Sequence, residues 1–316
     1  MGTLLDVLCV GSATADTIAR AATMPGRDQR ILTDPFVHAG GGPAATAAVA
    51  LARQGIRVGF CGVVGDDPVG HRVVSGLAAE GVNVDWVEVR AGHRTCESLI
   101  IIPADSPTRT IITTPSAVPD PAHIPTDVSA WIHVDQTGYA PVRAALLARP
   151  SAAHLSIDAG NPIPDLDLTG VSLYAPTETA LLGSFPGKIP EALQAAHAAG
   201  ATHTVATAGG DGAYVRDAEG VHLVPGFTVA ITSTMGAGDV FHGALLAGLV
   251  EGLPLSEATR RANAVAALSC RGLDGRSAIP TREATIEFLA TTTDFHSAAA
   301  LSATDSTTIE LENHDR

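Results

Sequence analysis

Short apolar runs alternate with helical patterns along this chain, and that rhythm constrains the fold more than any other feature. Residues 4–10 read as a buried strand. Residues 43–54 read as a helix, with Pro43 in its first turn and Gly55 just past its end. A strand follows at 56–64, then a helix at 69–80 closed by Gly81. Further strands are expected at 131–134 and 154–157. A helix closing over 194–199 passes through Gly200 into a strand at 203–208. Strands alternating with helices predict an α/β chain, with a mostly parallel sheet covered on both faces. In such sheets, ligands bind beyond the carboxyl ends of the strands, where the glycine-rich stretches of this sequence fall. Segments 17–38 and 95–114 break the rhythm and read as strands and turns without a helix. Within the second, residues 98–102 and 109–113 flank Pro103-Ala104-Asp105-Ser106-Pro107, an expected hairpin.

The most chemically pointed stretch is Ser233-Thr234-Met235-Gly236-Ala237-Gly238-Asp239-Val240-Phe241-His242-Gly243. An apolar helical pattern follows at once through Ala244, Leu245, Ala247 and Leu249. The first N–H groups of a helix have no partner inside it and carry the positive end of its dipole. Glycines there let an anion approach the backbone. A carboxylate at the same place would repel that anion unless it has its own task. Taking a proton from an attacking hydroxyl, while N–H groups hold the transferring phosphoryl group, is such a task. An ordinary helix with Asp in its first turn is the plainer alternative.

Four motifs occur in order. They are Gly40-Gly41-Gly42-Pro43-Ala44-Ala45-Thr46, Thr207-Ala208-Gly209-Gly210-Asp211-Gly212, the Gly-Ala-Gly-Asp run, and Arg261-Ala262-Asn263-Ala264 with Gly275 and Ala278-Ile279-Pro280. Together they resemble the ribokinase (PfkB) family of sugar and nucleoside kinases over roughly residues 5–290. The resemblance implies a ribokinase-like three-layer α/β/α sandwich over 1–290 with a small β-sheet lid from 17–38 and 95–114. It also implies ATP with Mg²⁺ entering on its phosphates, and pairing of two lids in a homodimer. Asp239 becomes the expected general base, and Gly236, Ala237 and Gly238 the anion hole. Asp16, Gly41, Gly42, Thr46, Arg109 and Thr137 are the expected acceptor-site residues. Thr207, Gly209, Gly212, Asn263 and Gly275 are the expected nucleotide-site residues. Several keep plainer alternatives: a loop or cap role for Asp16, a simple turn for 207–212, a tolerated helix Asn for Asn263, and a solvated face for Arg109. His38 and His242 are expected to be packed or hydrogen-bonded rather than catalytic.

Departures from the family pattern narrow the expected chemistry. Ser233 stands where the family usually has an Asp that helps bind a monovalent cation, which argues against potassium activation. Thr46 replaces a sugar-contacting Asn. Thr177-Glu178-Thr179-Ala180 lacks the final acid of an Asn-x-x-Glu motif, although Glu178 can stand in partly. Pro43 replaces a polar residue, which turns expectation away from ribose. The motifs look closest to the sulfofructose kinase and ketohexokinase branches, implying a hydroxymethyl group on a ketose or ketose-like polyol. The absence of a cation at Asp135-Gln136-Thr137-Gly138 disfavours a sulfonated sugar, unless Arg27, Arg30 or Arg109 supplies the charge. A nucleoside kinase and a non-catalytic sugar- or nucleotide-binding homologue remain the alternatives.

Composition excludes other classes. A formal net charge of −14 argues against nucleic-acid and anionic-membrane partners. The four cysteines are dispersed without a Cys-x-x-Cys pair, which predicts free thiols in a reducing cytoplasm and no dedicated metal site. Met1–Asp6 has no basic region before its apolar run, so no signal peptide is expected. No stretch of about 20 apolar residues predicts a membrane span. Residues 291–316 turn to Thr, Ser, Ala and acids and read as a polar tail.

Overall fold

A computed structural model describes residues 5–105 and 108–292. In chain order the strands are β1 (Leu5–Val10), β2 (Thr14–Ala21), β3 (Val37–Gly41), β4 (Val58–Gly65), β5 (Asn83–Arg90), β6 (Glu97–Pro103), β7 (Thr110–Thr113), β8 (Ser129–Val134), β9 (His154–Ala159), β10 (Leu173–Pro176), β11 (His203–Thr207), β12 (Gly212–Asp217) and β13 (Gly220–Pro225). The helices are α1 (Pro43–Arg53), α2 (Pro68–Ala79), α3 (Tyr139–Ala148), α4 (Glu178–Ser184), α5 (Ile189–Ala198), α6 (Ala237–Val250), α7 (Leu255–Ser269) and α8 (Arg282–Thr291).

Nine strands form one sheet in the order β13-β12-β11-β10-β9-β8-β1-β4-β5. It is parallel from β11 to β5 and ends in the antiparallel hairpin β12–β13. Strand β1 shows why both faces must be covered. Val7 and Cys9 enter one core with α1, α2, α6 and α7, while Leu8 and Val10 enter the opposite core with α3, α4 and α5. A strand buried on both faces reads as a continuous apolar run, which is how residues 4–10 read.

The small-residue helices bring the glycine motifs together. Helix α1 buries Ala44, Ala45, Ala47 and Ala48, and α6 crosses it so closely that a Cβ on Gly243 would lie 2.5 Å from the Ala47 carbonyl oxygen. A larger residue at that crossing would drive the helices apart, and their N-termini would no longer open onto one space.

The second sheet has four strands, ordered β3-β2-β6-β7. β6 and β7 form the expected hairpin; residues 106–107 of its turn lie outside the described residues. One face buries Ile18, Ile100 and Ile102 against Met235, just ahead of α6. The other presents Leu99 and Ile112 to solvent, while Ile111, opposite Ile100, lies on the first face. This sheet is separate from the large one and starts at Thr14, earlier than the expected 17. Residues 291 and 292 close α8 rather than beginning a tail, and 293–316 lie outside the described residues. No helix among the described residues is long and apolar enough to cross a membrane.

Candidate active site

Helix α6 begins at a left-handed residue, Gly236, with φ 70° and ψ 0°. A Cβ there would also lie 2.9 Å from the Gly275 Cα, so the residue must be glycine on both counts. The Ala237 N–H turns back toward the Thr234 carbonyl at 3.3 Å, which leaves the next N–H groups of the first turn to face outward. This helix start is the partition between two cavities. Gly236 and Asp239 line the first, of about 1220 Å³; Ala237 and Gly238 line the second, of about 500 Å³. Arg109, just ahead of β7 rather than within the strand expected over 109–113, lines both and donates to the Thr234 hydroxyl at 3.4 Å.

The first cavity gathers the residues expected around the acceptor: Asp16, Gly41, Gly42, Thr46, Arg109 and Thr137. Asp16 sits within β2, paired to Ala39 on one side and Ser98 on the other, rather than in a loop or cap. Its carboxylate accepts from the Thr14 hydroxyl at 2.8 Å. A Cβ on Gly41 would overlap that carboxylate, so the glycine makes room for it. Burial pushes the Asp16 pKa up, opposed by the Thr14 and Ser98 hydroxyls and the Arg276 charge. Gly275, expected beside the nucleotide, lines this first cavity instead, because its loop packs against Gly236. Arg27 and Arg30 line neither cavity.

Asp239 is partly exposed to the cavity. Its pKa is raised to about 7, first by burial and then by the Asp158 charge, against the pull of His242; Asp135 adds to the rise and Arg109 opposes it. A carboxyl there is poised to exchange a proton near neutrality.

Two buried groups that sequence reasoning did not single out build this wall. Asp135 follows β8 and gathers five donors. Ser12 N–H and Oγ, at 2.8 and 2.9 Å, and Ala44 N–H, at 3.2 Å, meet Oδ2. Thr137 and Gly138 N–H, at 2.8 and 2.9 Å, meet Oδ1. It thereby ties the end of β1, the start of α1 and the start of α3 to one point. Its only sequence signal is an acid directly after an apolar strand. Arg276 donates to the Gly41 carbonyl at 2.6 Å and the Thr46 hydroxyl at 3.1 Å. Burial lowers its pKa to about 10, with Asp16 and Asp239 as its foremost carboxylate partners, so it stays charged at neutral pH. Its guanidinium fills the space a Cβ on Gly40 would need.

The second cavity is lined by Thr207, Gly209, Gly212 and Asn263, with Glu178 and Thr177. The Asn263 amide donates to the Val224 and Pro225 carbonyls at 2.9 and 3.0 Å, so it braces the cavity's edge. Thr177 caps α4 by accepting from the Ala180 N–H at 3.1 Å. Nothing lies within 4 Å of where a Cβ would stand on Gly209, Gly210 or Gly238. That open backbone can cradle phosphates, and these residues fit a nucleotide. Among the described residues, no group of three or more His, Cys, Asp or Glu could hold a metal ion. Glu178 is the acid that faces the cavity.

Comparison with known proteins agrees in fold and in extent. A family model described as "pfkB family carbohydrate kinase" matches residues 4–142 and 171–282. A ribokinase of Haemophilus influenzae is 26% identical over 296 residues, covering 89% of this chain and 97% of that one. The crystal structure of a provisionally assigned ribokinase from Agrobacterium tumefaciens is 29% identical with a TM-score of 0.80, covering 91% of this chain and 98% of that one. The ribokinase of Arabidopsis thaliana complexed with ribose and ATP is 20% identical with a TM-score of 0.78, covering 92% of this chain and 100% of that one.

Proposed function

The chain belongs to the pfkB family of carbohydrate kinases, and from that premise we propose that this ATP-dependent kinase phosphorylates a hydroxymethyl group on a small ketose or ketose-like polyol. One observation carries the reading: Asp239 and Gly236 face one cavity while Ala237 and Gly238 face the other. A hydroxyl and a phosphoryl donor would meet across the start of α6.

In this reading Asp16 accepts from two neighbouring hydroxyls of the acceptor, and Gly41 and Gly42 let the sugar lie against the backbone. Asp239 takes the proton of the attacking hydroxyl as its oxygen bonds to phosphorus. The first-turn N–H groups of α6 and the Arg109 guanidinium neutralise charge on the phosphoryl oxygens. Magnesium-bound ATP would supply the phosphoryl group; Gly209 and Gly210 give it open backbone, and Glu178 is the residue that would help hold its metal. The small sheet acts as a lid, and its solvent-facing Leu99 and Ile112 suit pairing with a second copy.

Ribokinases are among the relatives, yet Pro43 and Thr46 depart from the polar residues expected around ribose, which favours a ketose. Tyr139 is the one aromatic residue among the described residues lining the acceptor cavity, and its hydroxyl donates to the Asp167 carbonyl at 3.0 Å. A nucleoside base would find little to stack on.

The deciding measurement is ADP release with Mg-ATP against ketoses, ribose and other aldoses, sulfosugars and nucleosides, with Asp239→Asn as control. A ketose signal lost in the variant is expected. Turnover confined to ribose or to nucleosides would overturn the substrate reading.

A further inference from the structure

The wall behind Asp239 holds charges that the proposed chemistry leaves unused. His242 lies one turn beyond Asp239 on α6, so the two share a helix face. Its Nδ1 is 2.8 Å from Asp158 Oδ2 at the end of β9, and the side chains are only 4% and 5% exposed. Asp158 is fixed in turn by the Gly160 N–H at 2.9 Å. Neither His242 ring nitrogen makes a hydrogen bond of ordinary geometry, so the close approach to Asp158 is what defines the pair. A buried ion pair stabilises a fold poorly, because desolvating both charges offsets most of their attraction. Two apolar residues would fill the same space, so this pair needs another reason, and Asp239 lies beside it.

We propose that His242 and Asp158 are positioning residues that hold a positive charge buried behind Asp239, where it favours the ionised carboxylate in each turnover. The inference rests on reading Asp239 as the base.

The charges around Asp239 come from five elements. His242 faces it from α6, Asp158 from β9, Asp135 from the loop after β8, Arg109 from just ahead of β7 and Arg276 from the loop after α7. Unpaired, Asp158 would set a like charge against Asp239 and keep it protonated. Paired with an imidazolium, that charge is opposed, though not fully offset. Burial alone would keep His242 neutral; the Asp158 charge and contact, then Asp239 and the Ala175 carbonyl, outweigh it and raise its pKa. The neighbouring ring of His133, 6.3 Å away between centroids, is held by Ser156 Oγ at 3.0 Å. Burial drives its pKa down to about 4, so it is the neutral ring of the two, and His242 is the one whose pKa its surroundings raise.

Two measurements on the full chain test this. In ¹⁵N-histidine-labelled protein, the His242 resonance should remain that of an imidazolium through neutral pH, above the ordinary histidine value of ~6.5. In His242→Gln, the acid limb of kcat/KM should move up by about 1–3 pH units. A His242 resonance titrating at or below ~6.5 overturns the proposal, as does an unmoved acid limb in a folded variant. If the variant does not fold, the wild-type titration decides, and Asp158→Asn should lower the His242 transition. Full turnover in Asp239→Asn is a separate result that would overturn the base itself.

Discussion

Arg276 donates from Nη2 to the Gly41 carbonyl at 2.6 Å, joining residues 235 positions apart. The same guanidinium meets Thr46 Oγ1, so the loop after α7 sets the shape of the backbone beneath the acceptor. Removing a charged donor from a buried carbonyl costs about 1.5–3 kcal/mol. Arg276→Met is therefore expected to raise the KM for the acceptor roughly 10-fold or more, with a smaller effect on kcat. Steady-state kinetics checks this, and an unchanged acceptor KM would detach Arg276 from the pocket.

Asp239→Asn is expected to lose about 10²- to 10⁴-fold or more in turnover while keeping its fold. Its stability should move the other way. The folded pKa of Asp239, about 7, lies above its ordinary 3.8. The contribution of such a raised carboxyl is fully present below 3.8 and is lost as pH rises through about 7. The Asn variant should thus melt higher than wild type at alkaline pH, with the gap closing toward acid. Thermal melts across pH, beside an ADP-release assay, test both halves.

Wild-type activity should follow the same group. A base works only when deprotonated, so kcat/KM should fall as pH drops below about 7. A profile flat down to the ordinary carboxylate range would show that Asp239 is not held up by its surroundings.

Two glycines of one motif should respond in opposite ways. Gly236→Ala puts a side chain in the left-handed region and against Gly275, at a cost of about 1–3 kcal/mol, measurable in Tm. Gly238→Ala meets open space and should leave Tm unchanged or higher, while raising the KM for ATP by filling the second cavity.

Asp67 caps α2 by accepting from the Gly70 N–H at 2.7 Å and also accepts from Thr95 N–H and Oγ1. Those donors, the Thr95 N–H first, hold its pKa down to about 2. Its stabilisation is present above its ordinary 3.8 and is lost as pH falls toward about 2. Asp67→Ala should lower stability by about 1 kcal/mol at neutral pH, and the difference should shrink in acid. Denaturant melts at several pH values check it.

Much of the architecture was legible because its signals are local. Pro43 and Gly55 bracket α1, and the Val7/Leu8 alternation within an all-apolar run marks a strand buried on both faces. β5 was not legible, since its mixed, half-buried pattern, Asn83-Val84-Asp85-Trp86, lacks a clean period. The hairpin β12–β13 hid behind the glycine turn at its start. In the candidate site, Asp16 and Asp239 stood out because each lies beside its own glycine motif. Arg276, Asp135 and Asp158 did not, because nothing in their neighbouring residues marks them; His242 was visible beside its motif as a packed or hydrogen-bonded histidine, but not its carboxylate partner.

The sequence by itself determined the alternation of strands and helices, the two helix starts rich in glycine, and the kinds of group that can do chemistry there. Each of these follows from spacing within a few residues. Only the tertiary structure decided that α6 begins on the wall between two cavities, that Gly275 turns to the first, and that a buried arginine and a histidine–carboxylate pair set the charge around Asp239. Those depend on contacts across the chain, which arise only when the parallel sheet brings its strand ends together.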